Sequence, residues 1–273
     1  MRRASQTRAG RLRAGETLDR VCGALDIIQA RDGYRFGMEA LFLCGFVAGR
    51  AECVLDLGTG CGIIPLVLLW SGKARRATGI ELQEAMCDRA RRSARKNGLA
   101  RHFVVIEGDI RTPPTDLPAG GFDLVTANPP FFEIGRGRTC PNAERALARE
   151  ERCGTLQDFV SAAHRMLVPR GRLVLVFSPR RLESALQACR SEGLSPTRLR
   201  FVHPRADLPP RHVLLEARLA TRSALDIEPP LLIQDADGHA TAEFQAWMYP
   251  ARGRLAQKPP PSPVRGVRVP SPG

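Results

Sequence analysis

Four residues at alternate positions, Asp56, Gly58, Gly60 and Gly62, form the first chemically informative pattern. They follow a short apolar run and precede a longer one, an order that predicts a buried strand, a tight turn and a helix start. Glycine is needed where backbone approaches a ligand closely or adopts a positive φ. A dinucleotide fingerprint would require its third glycine where Ile63 stands. The turn therefore predicts a ligand other than a dinucleotide, with an ordinary strand-turn-helix as the alternative.

The second pattern is Asn128-Pro129-Pro130-Phe131, directly after the apolar run 122–127. It resembles the Asn-Pro-Pro-Tyr/Phe motif of methyltransferases that act on planar amide or exocyclic amino nitrogens, and the resemblance implies a substrate whose delocalised lone pair is a poor nucleophile. The Asn128 side-chain oxygen and the Pro129 carbonyl could accept both amine hydrogens and so orient the lone pair. The prolines fix φ and bring no competing N–H, and Phe131 offers a face on which a base can stack. The alternative is a structural Asn-Pro turn with Phe131 in the core.

Both patterns resemble motifs of known methyltransferases. The glycine turn is similar to the S-adenosylmethionine (SAM) site of class I methyltransferases. In open α/β sheets the ligand binds outside the carboxyl ends of the strands, where we expect three acids. The resemblance implies that Asp56 lies near the methionine ammonium, Glu81 binds the ribose hydroxyls and Asp109 binds the adenine amino group. Each acid alone could instead be a helix N-cap.

With both motifs in place, the chain resembles the bacterial tRNA adenine-N6-methyltransferases that act beside the anticodon of valine tRNA. The resemblance runs from about residue 22 to 249 and includes the segment 36–41, which lies over SAM in that family. Glu39 stands where Asp is common, and Phe131 where Tyr is frequent. The implied catalytic residues are Asn128, Pro129, Pro130 and Phe131. The implied cofactor contacts are Gly37, Glu39, Asp56, Gly58, Gly60, Gly62, Glu81, Asp109, Ile110 and Asn128.

Strands and helices alternate from Cys53 onward, which predicts a mostly parallel sheet with helices on both faces. We expect a Rossmann-like class I methyltransferase fold with seven strands. Its last strand should be antiparallel, because no helix separates the strands predicted at 197–202 and 213–217. The methyltransferase domain is expected over 21–249 with a small C-terminal appendage, and the ends 1–20 and 250–273 are expected to be disordered.

Net charge and amino-acid composition limit the classes of partner that the protein could bind. The net charge is +13; residues 1–15 and 250–273 each carry five basic residues and no acid, which leaves +3 for the rest. Such ends would attract a polyanion such as tRNA, although arginine and proline also accumulate in unconstrained ends. The eight cysteines are scattered without a C-x-x-C pair, and no apolar run reaches the length of a membrane span. We therefore expect a cytoplasmic monomer that binds SAM and tRNA, with no metal and no membrane association.

Three other functions stay open at the level of the sequence. Enzymes that methylate glutamine in peptide release factors use the same tetrad, but they usually carry a helical domain ahead of the SAM turn, for which the residues before Val54 offer little room. Enzymes that methylate guanine amino groups in rRNA are a second alternative. A non-catalytic SAM- or RNA-binding module is the third, and the intact tetrad argues against it.

Overall fold

The computed structural model of the protein describes residues 11–114, 117–130 and 154–253. These residues form ten strands: β1 (Glu16–Val21), β2 (Leu25–Ala30), β3 (Ala51–Leu57), β4 (Ala74–Glu81), β5 (Phe103–Glu107), β6 (Phe122–Ala127), β7 (Leu167–Phe177), β8 (Leu194–His203), β9 (His212–Leu219) and β10 (Asp226–Leu232). The helices are α1 (Met38–Phe46), α2 (Ile63–Trp70), α3 (Glu84–Lys96), α4 (Leu156–Met166), α5 (Leu182–Ser191) and α6 (Ala242–Met248), with a 3-10 turn at Pro179–Arg181.

Eight strands form one mixed sheet in the order β10-β8-β9-β7-β6-β3-β4-β5. The pairs from β7 through β6, β3 and β4 to β5 are parallel, and β9 runs antiparallel between β7 and β8. The class I fold predicted from the sequence is confirmed, but the sheet has eight strands rather than seven. The last strand, β10, pairs parallel to β8, so the antiparallel strand is not the last one.

The additional strand, β10, was not predicted from the sequence because it contains two prolines. Pro229 and Pro230 lie inside β10, and proline cannot donate to a ladder, so a pair of prolines argues against a central strand. The strand tolerates them because it lies at the edge of the sheet and shifts register between Glu228 and Leu231. A sequence pattern that excludes central strands therefore does not exclude an edge strand.

The N-terminal boundary also differs from the prediction. Strand β1 begins at Glu16 and pairs antiparallel with β2, so the expectation of disorder over 1–20 is wrong for residues 16–20. The hairpin is attached to α3, because Glu16 forms ion pairs with Arg89 and Arg92 and the Ile28 N–H donates to Ser93 Oγ at 2.9 Å. Residues 1–10 and 254–273 lie outside the described part of the chain.

Helices cover both faces of the sheet, as predicted. One apolar layer joins α1, α2 and α3 to one face, and a second layer joins α4 and α5 to the other. Within the described ranges, no helix combines the length and the apolar character needed to cross a bilayer. The two layers hold the strands rigidly, so the residues just past β3, β4 and β6 are fixed at one edge of the sheet.

Candidate active site

A cleft opens at the carboxyl edge of β3, β4 and β6, and both sequence motifs line it. The glycine turn contributes Gly58 and Gly60, β4 contributes Glu81, and the tetrad contributes Asn128 and Pro130. The cleft encloses about 550 Å³ with its open mouth included. The strand ends that the sequence predicted to converge therefore do converge, and the two motifs face each other across one cavity.

The glycine turn is fixed by hydrogen bonds to the neighbouring strand. The Thr59 N–H donates to the Ile80 carbonyl at 2.9 Å, and the Gly60 N–H donates to Glu81 Oε2 at 2.8 Å. The other oxygen of Glu81 accepts from the Gln83 N–H at 2.9 Å. Gly60 has a φ of +57°, which favours glycine. One buried carboxylate thus ties the turn to the end of β4 and stands at the cleft wall.

Gly62 has a different role from the two lining glycines. Its φ is +83°, and a Cβ added there would come within 2.7 Å of the Phe103 ring. It does not line the cleft; it allows α2 to begin tightly against the core. The structure therefore assigns the third glycine of the pattern to packing, and its predicted cofactor contact stays a prediction.

Asp56 is a buried carboxylate with one unpartnered oxygen. Its Oδ1 accepts from the Thr126 hydroxyl at 2.7 Å, while Oδ2 is buried without a hydrogen bond to any described residue. Burial raises the pKa of Asp56 to about 7, against the opposing effects of the Thr126 and Thr59 hydroxyls, both of which lie close enough to stabilise the carboxylate. Buried polar atoms normally have partners. Asp56 is 1% exposed and does not line the cleft, so a ligand donor would have to reach Oδ2 through a water.

Asn128 carries a second orphaned acceptor. Its Oδ1 is buried and lacks a hydrogen-bond partner among the described residues. The turn around it is braced, because Arg181 donates from a guanidinium nitrogen to the Pro130 carbonyl at 3.0 Å. An amide oxygen held in a cleft and left without a donor is suited to accept a hydrogen from a substrate amine.

Several predicted residues do not line the cleft, among them Asp56, Pro129 and Asp109. The Asp109 carboxylate is bound by Arg111, whose Nε lies 2.9 Å from Oδ1, and this pairing lowers the pKa of Asp109. Its neighbour Ile110 does line the cleft. Gly37 is the N-cap of α1 and Glu39 lies in the first turn of that helix, outside the cleft lining. Phe131 lies outside the described residues.

Other lining residues carried no local signal in the sequence. Tyr34, Gln83, Met86 and Phe159 also line the cleft, and Phe159 belongs to α4, which follows residues 131–153 in the chain. Arg181 was also missed, since its role depends on the contact between the end of β7 and the turn after β6. Only Gln83, two residues past Glu81, could have been anticipated from its position beside a predicted strand end.

Known proteins match the chain in sequence and in fold. A family model for a methyltransferase domain matches residues 54–150. A tRNA1(Val) (adenine(37)-N6)-methyltransferase of Porphyromonas gingivalis is 30% identical over 230 residues, which cover 80% of this chain and 89% of that protein. A 4-amino-L-phenylalanine/4-methylamino-L-phenylalanine methyltransferase of Streptomyces pristinaespiralis is 36% identical over 162 residues, which cover 57% of this chain and 53% of that protein. A solved structure of a predicted O-methyltransferase from Agrobacterium tumefaciens has a TM-score of 0.63 at 23% identity, covers 80% of this chain and 99% of its own, and agrees in fold.

The parallel sheet, the glycine turn and the cleft at the strand ends define a class I methyltransferase, an enzyme that takes its methyl group from SAM. The resemblance in sequence extends over almost the full length of the Porphyromonas relative. The chain belongs to the tRNA1(Val) (adenine(37)-N6)-methyltransferase family.

Proposed function

We propose that this protein transfers a methyl group from SAM to the N6 amine of an adenine in tRNA, at the position beside the anticodon that the names of its relatives specify. The observation that carries the proposal is the buried, unpartnered Oδ1 of Asn128 in the same cleft as the glycine turn. An enzyme for a planar amine needs such an acceptor, whereas an enzyme that acts on a hydroxyl group has no second N–H to orient.

The residues around the cleft fit SAM. The orphaned Oδ2 of Asp56 suits the methionine ammonium through a water. Glu81 accepts two backbone N–H groups at the cleft wall, and a carboxylate with several acceptor sites there suits the ribose hydroxyls. Ile110 offers an apolar wall for the adenine, and Asp109 would have to share its carboxylate between Arg111 and the adenine amino group. When bound, SAM supplies an electrophilic methyl carbon attached to a positively charged sulfur.

The tetrad would orient the amine rather than deprotonate it. Asn128 Oδ1 and the Pro129 carbonyl would each accept one amine hydrogen, which turns the nitrogen lone pair out of conjugation and toward the methyl donor. Neither acceptor is a strong base, so the surplus proton leaves to solvent after the nitrogen has gained the methyl group. Phe131 would stack on the extruded base. Arg181 would keep the turn in register by holding the Pro130 carbonyl.

A small aromatic amine is the second candidate substrate. The Streptomyces relative is the more identical of the two named above, although the match covers about half of its length. Its named substrate carries an amine conjugated to an aromatic ring, which presents the same problem of a delocalised lone pair. The match over most of a tRNA-modifying relative and the basic charge of this chain favour tRNA.

A labelled-SAM assay tests the proposal. The enzyme is incubated with an unmodified valine tRNA transcript, with the same transcript carrying guanine at position 37, with a release factor, with an rRNA fragment and with 4-amino-L-phenylalanine. We expect label in N6-methyladenosine from the first transcript and none from the second. Label in glutamine, in guanine or in the amino acid would replace the proposed substrate, and no label with any of them would indicate a binding module. We expect a cytoplasmic monomer without a bound metal; light scattering tests the oligomeric state.

A further inference from the structure

A groove lined by arginines lies at the amino edge of the sheet, opposite the cleft. Its walls are the segment 48–50 before β3, the segment 168–172 at the start of β7, Asp123 at the start of β6 and Arg218 near the end of β9. Ten residues line the groove, and Asp123 is the one acid among them. Four of the ten are arginines: Arg50, Arg170, Arg172 and Arg218. Neither sequence motif contributes to this groove.

The acids near the groove are already engaged. Both oxygens of Asp123 accept backbone N–H groups, from Glu52 at 2.9 Å and from Cys53 at 2.7 Å. Glu216, which is 1% exposed, is shared by three arginines, because Arg198, Arg218 and Arg172 lie 3.1, 3.1 and 3.7 Å from its oxygens. Glu216 therefore offsets part of the charge of Arg172 and Arg218, and the groove keeps an excess of positive charge from Arg50 and Arg170.

Two of the arginines are available for an external partner. Arg50 and Arg170 are exposed, and neither side chain forms a hydrogen bond or ion pair with another described residue. Arg172 is fixed by donation to the Ala48 carbonyl at 2.7 Å, and burial lowers its pKa despite the opposing attraction of Glu216. The planar fork of arginine matches phosphate, and an open groove suits a chain of phosphates better than a single small ion.

We infer that this groove binds backbone phosphates of the RNA substrate, several nucleotides away from the base that is methylated. The inference rests on the proposed function. Strand β6 connects the two sites, because Asp123 lines the groove and Asn128 lines the cleft. The five residue steps between them span about 17 Å at roughly 3.3 Å per residue, or about five stacked nucleotides at about 3.4 Å each. This straight distance passes through the protein, so an RNA that occupies both sites must run over the helix-covered surface and needs more than five nucleotides.

The experiment compares two double variants of the full chain. Arg50→Ala with Arg170→Ala removes the two unpartnered groove charges, and Arg95→Ala with Arg101→Ala removes two exposed arginines outside the groove. Affinity for the full-length valine tRNA transcript is measured between about 50 and 200 mM salt. The slope of log affinity against log salt should fall by about 1 for each lost phosphate contact, so by about 2 for the groove variant. Its disadvantage relative to wild type should shrink roughly 15-fold over that fourfold change in salt.

The supporting result is a loss of tRNA affinity in the groove variant alone, with SAM affinity, melting temperature and kcat at saturating tRNA unchanged in both variants. Wild-type affinity in the groove variant, or an equal loss in both variants, would overturn the inference and leave tRNA methylation intact. A wild-type enzyme that neither binds nor methylates tRNA would remove the proposed function, and this inference with it.

Discussion

The glycine turn after β3 and the proline turn after β6 face the same cleft, but their polar groups are satisfied in opposite ways. In the first turn, the N–H groups of Thr59 and Gly60 are bound by the end of β4. In the second, Asn128 Oδ1 is buried without a partner among the described residues, and the Pro130 carbonyl is held by Arg181. The backbone N–H groups of Thr59 and Gly60 are thus satisfied within the protein, although the Thr59 hydroxyl is also buried without a hydrogen bond to a described residue, whereas the proline turn leaves an amide acceptor unpartnered.

The difference in hydrogen bonding indicates two roles: residues of the glycine turn maintain the structure of the site, and residues of the proline turn bind the substrate. Leaving a buried acceptor unsatisfied costs about 1–3 kcal/mol of folding free energy, so such a group is retained only where it serves another purpose. Substitutions in the glycine turn should therefore act first on stability. Substitutions in the proline turn should act on turnover and leave stability unchanged or slightly improved.

Asn128→Ala should have the largest effect. Loss of a preorganised hydrogen-bonding group in an active site typically costs about 10²–10³ in kcat, or about 3–4 kcal/mol. SAM affinity should stay close to that of wild type, and the melting temperature should not fall, since a buried unsatisfied oxygen is removed. Steady-state methyl transfer, calorimetric SAM titration and thermal melting measure the three quantities. Asn128→Asp keeps an acceptor at this position and should retain more activity than the alanine variant; equal activity in both would exclude the acceptor role.

Gly62→Ala tests the other side of the comparison through stability. The new Cβ would adopt a φ of +83° and lie 2.7 Å from a Phe103 ring atom and 3.2 Å from Ala90. Left-handed backbone strain and overpacking together should lower the free energy of unfolding by about 3 kcal/mol. Gly98→Ala is the matched control, because its φ is +70° but no atom lies within 4 Å. Urea unfolding should show a loss of only about 1–2 kcal/mol for the control, and similar losses in both variants would contradict a packing role for Gly62.

The same contrast explains what the sequence could predict. Both turns have local sequence signals, because an apolar run is followed by regularly spaced glycines in one and by an Asn-Pro-Pro tetrad in the other. The carboxyl ends of β3, β4 and β6 lie where the sequence predicted them. Arginine-rich composition concealed β1, whose Glu16 is stabilised by arginines of α3 some 76 residues further along the chain. Pro229 and Pro230 concealed β10. Local patterns thus predicted the strands with apolar runs, including β5 at one edge of the sheet, and missed β1 and β10, whose sequences lack such a run.

The sequence could not predict which residues from other helices and turns reach the site. Phe159 and Arg181 reach the cleft and its turn from α4 and from the segment after β7, and neither stands in a motif. Asp109 illustrates the reverse case, since its strand-end position predicted a ligand contact while Arg111, two residues away, binds its carboxylate. That pair could have been anticipated from the spacing, because an arginine so close to an acid on a loop is within reach of it.

Arg181→Met removes the hydrogen bond that holds the proline turn and leaves the acceptor, Asn128 Oδ1, unchanged. A hydrogen bond from a charged donor contributes about 1.5–3 kcal/mol, and the loss of this brace should lower kcat roughly 10- to 30-fold. SAM affinity should not change. The neighbouring Arg180→Met is the control, since Arg180 is exposed and its side chain has no hydrogen bond or ion pair with a described residue. Partial recovery with Arg181→Lys would support a positioning role, and an unchanged kcat in Arg181→Met would exclude it.

Asp56 gives the smallest and most specific test, because its effect depends on pH. Burial raises its pKa from the ordinary value of 3.8 to about 7. Between those values the folded protein binds more protons than the unfolded chain, so this group's contribution to stability declines as pH rises from about 4 to about 7. A ligand ammonium favours the charged carboxylate, so SAM affinity should increase about fivefold from pH 6 to pH 7, below the range in which the α-amino group of the ligand loses its proton. Calorimetric titrations should show proton release on binding near pH 7.

Asp56→Asn should abolish the pH dependence of SAM affinity. Asp207→Asn changes an exposed acid paired with Arg205 and should leave that pH dependence intact. An affinity that is flat or falls with rising pH in the wild-type enzyme would mean that Asp56 does not bind the ammonium and that its unpartnered oxygen serves only the fold.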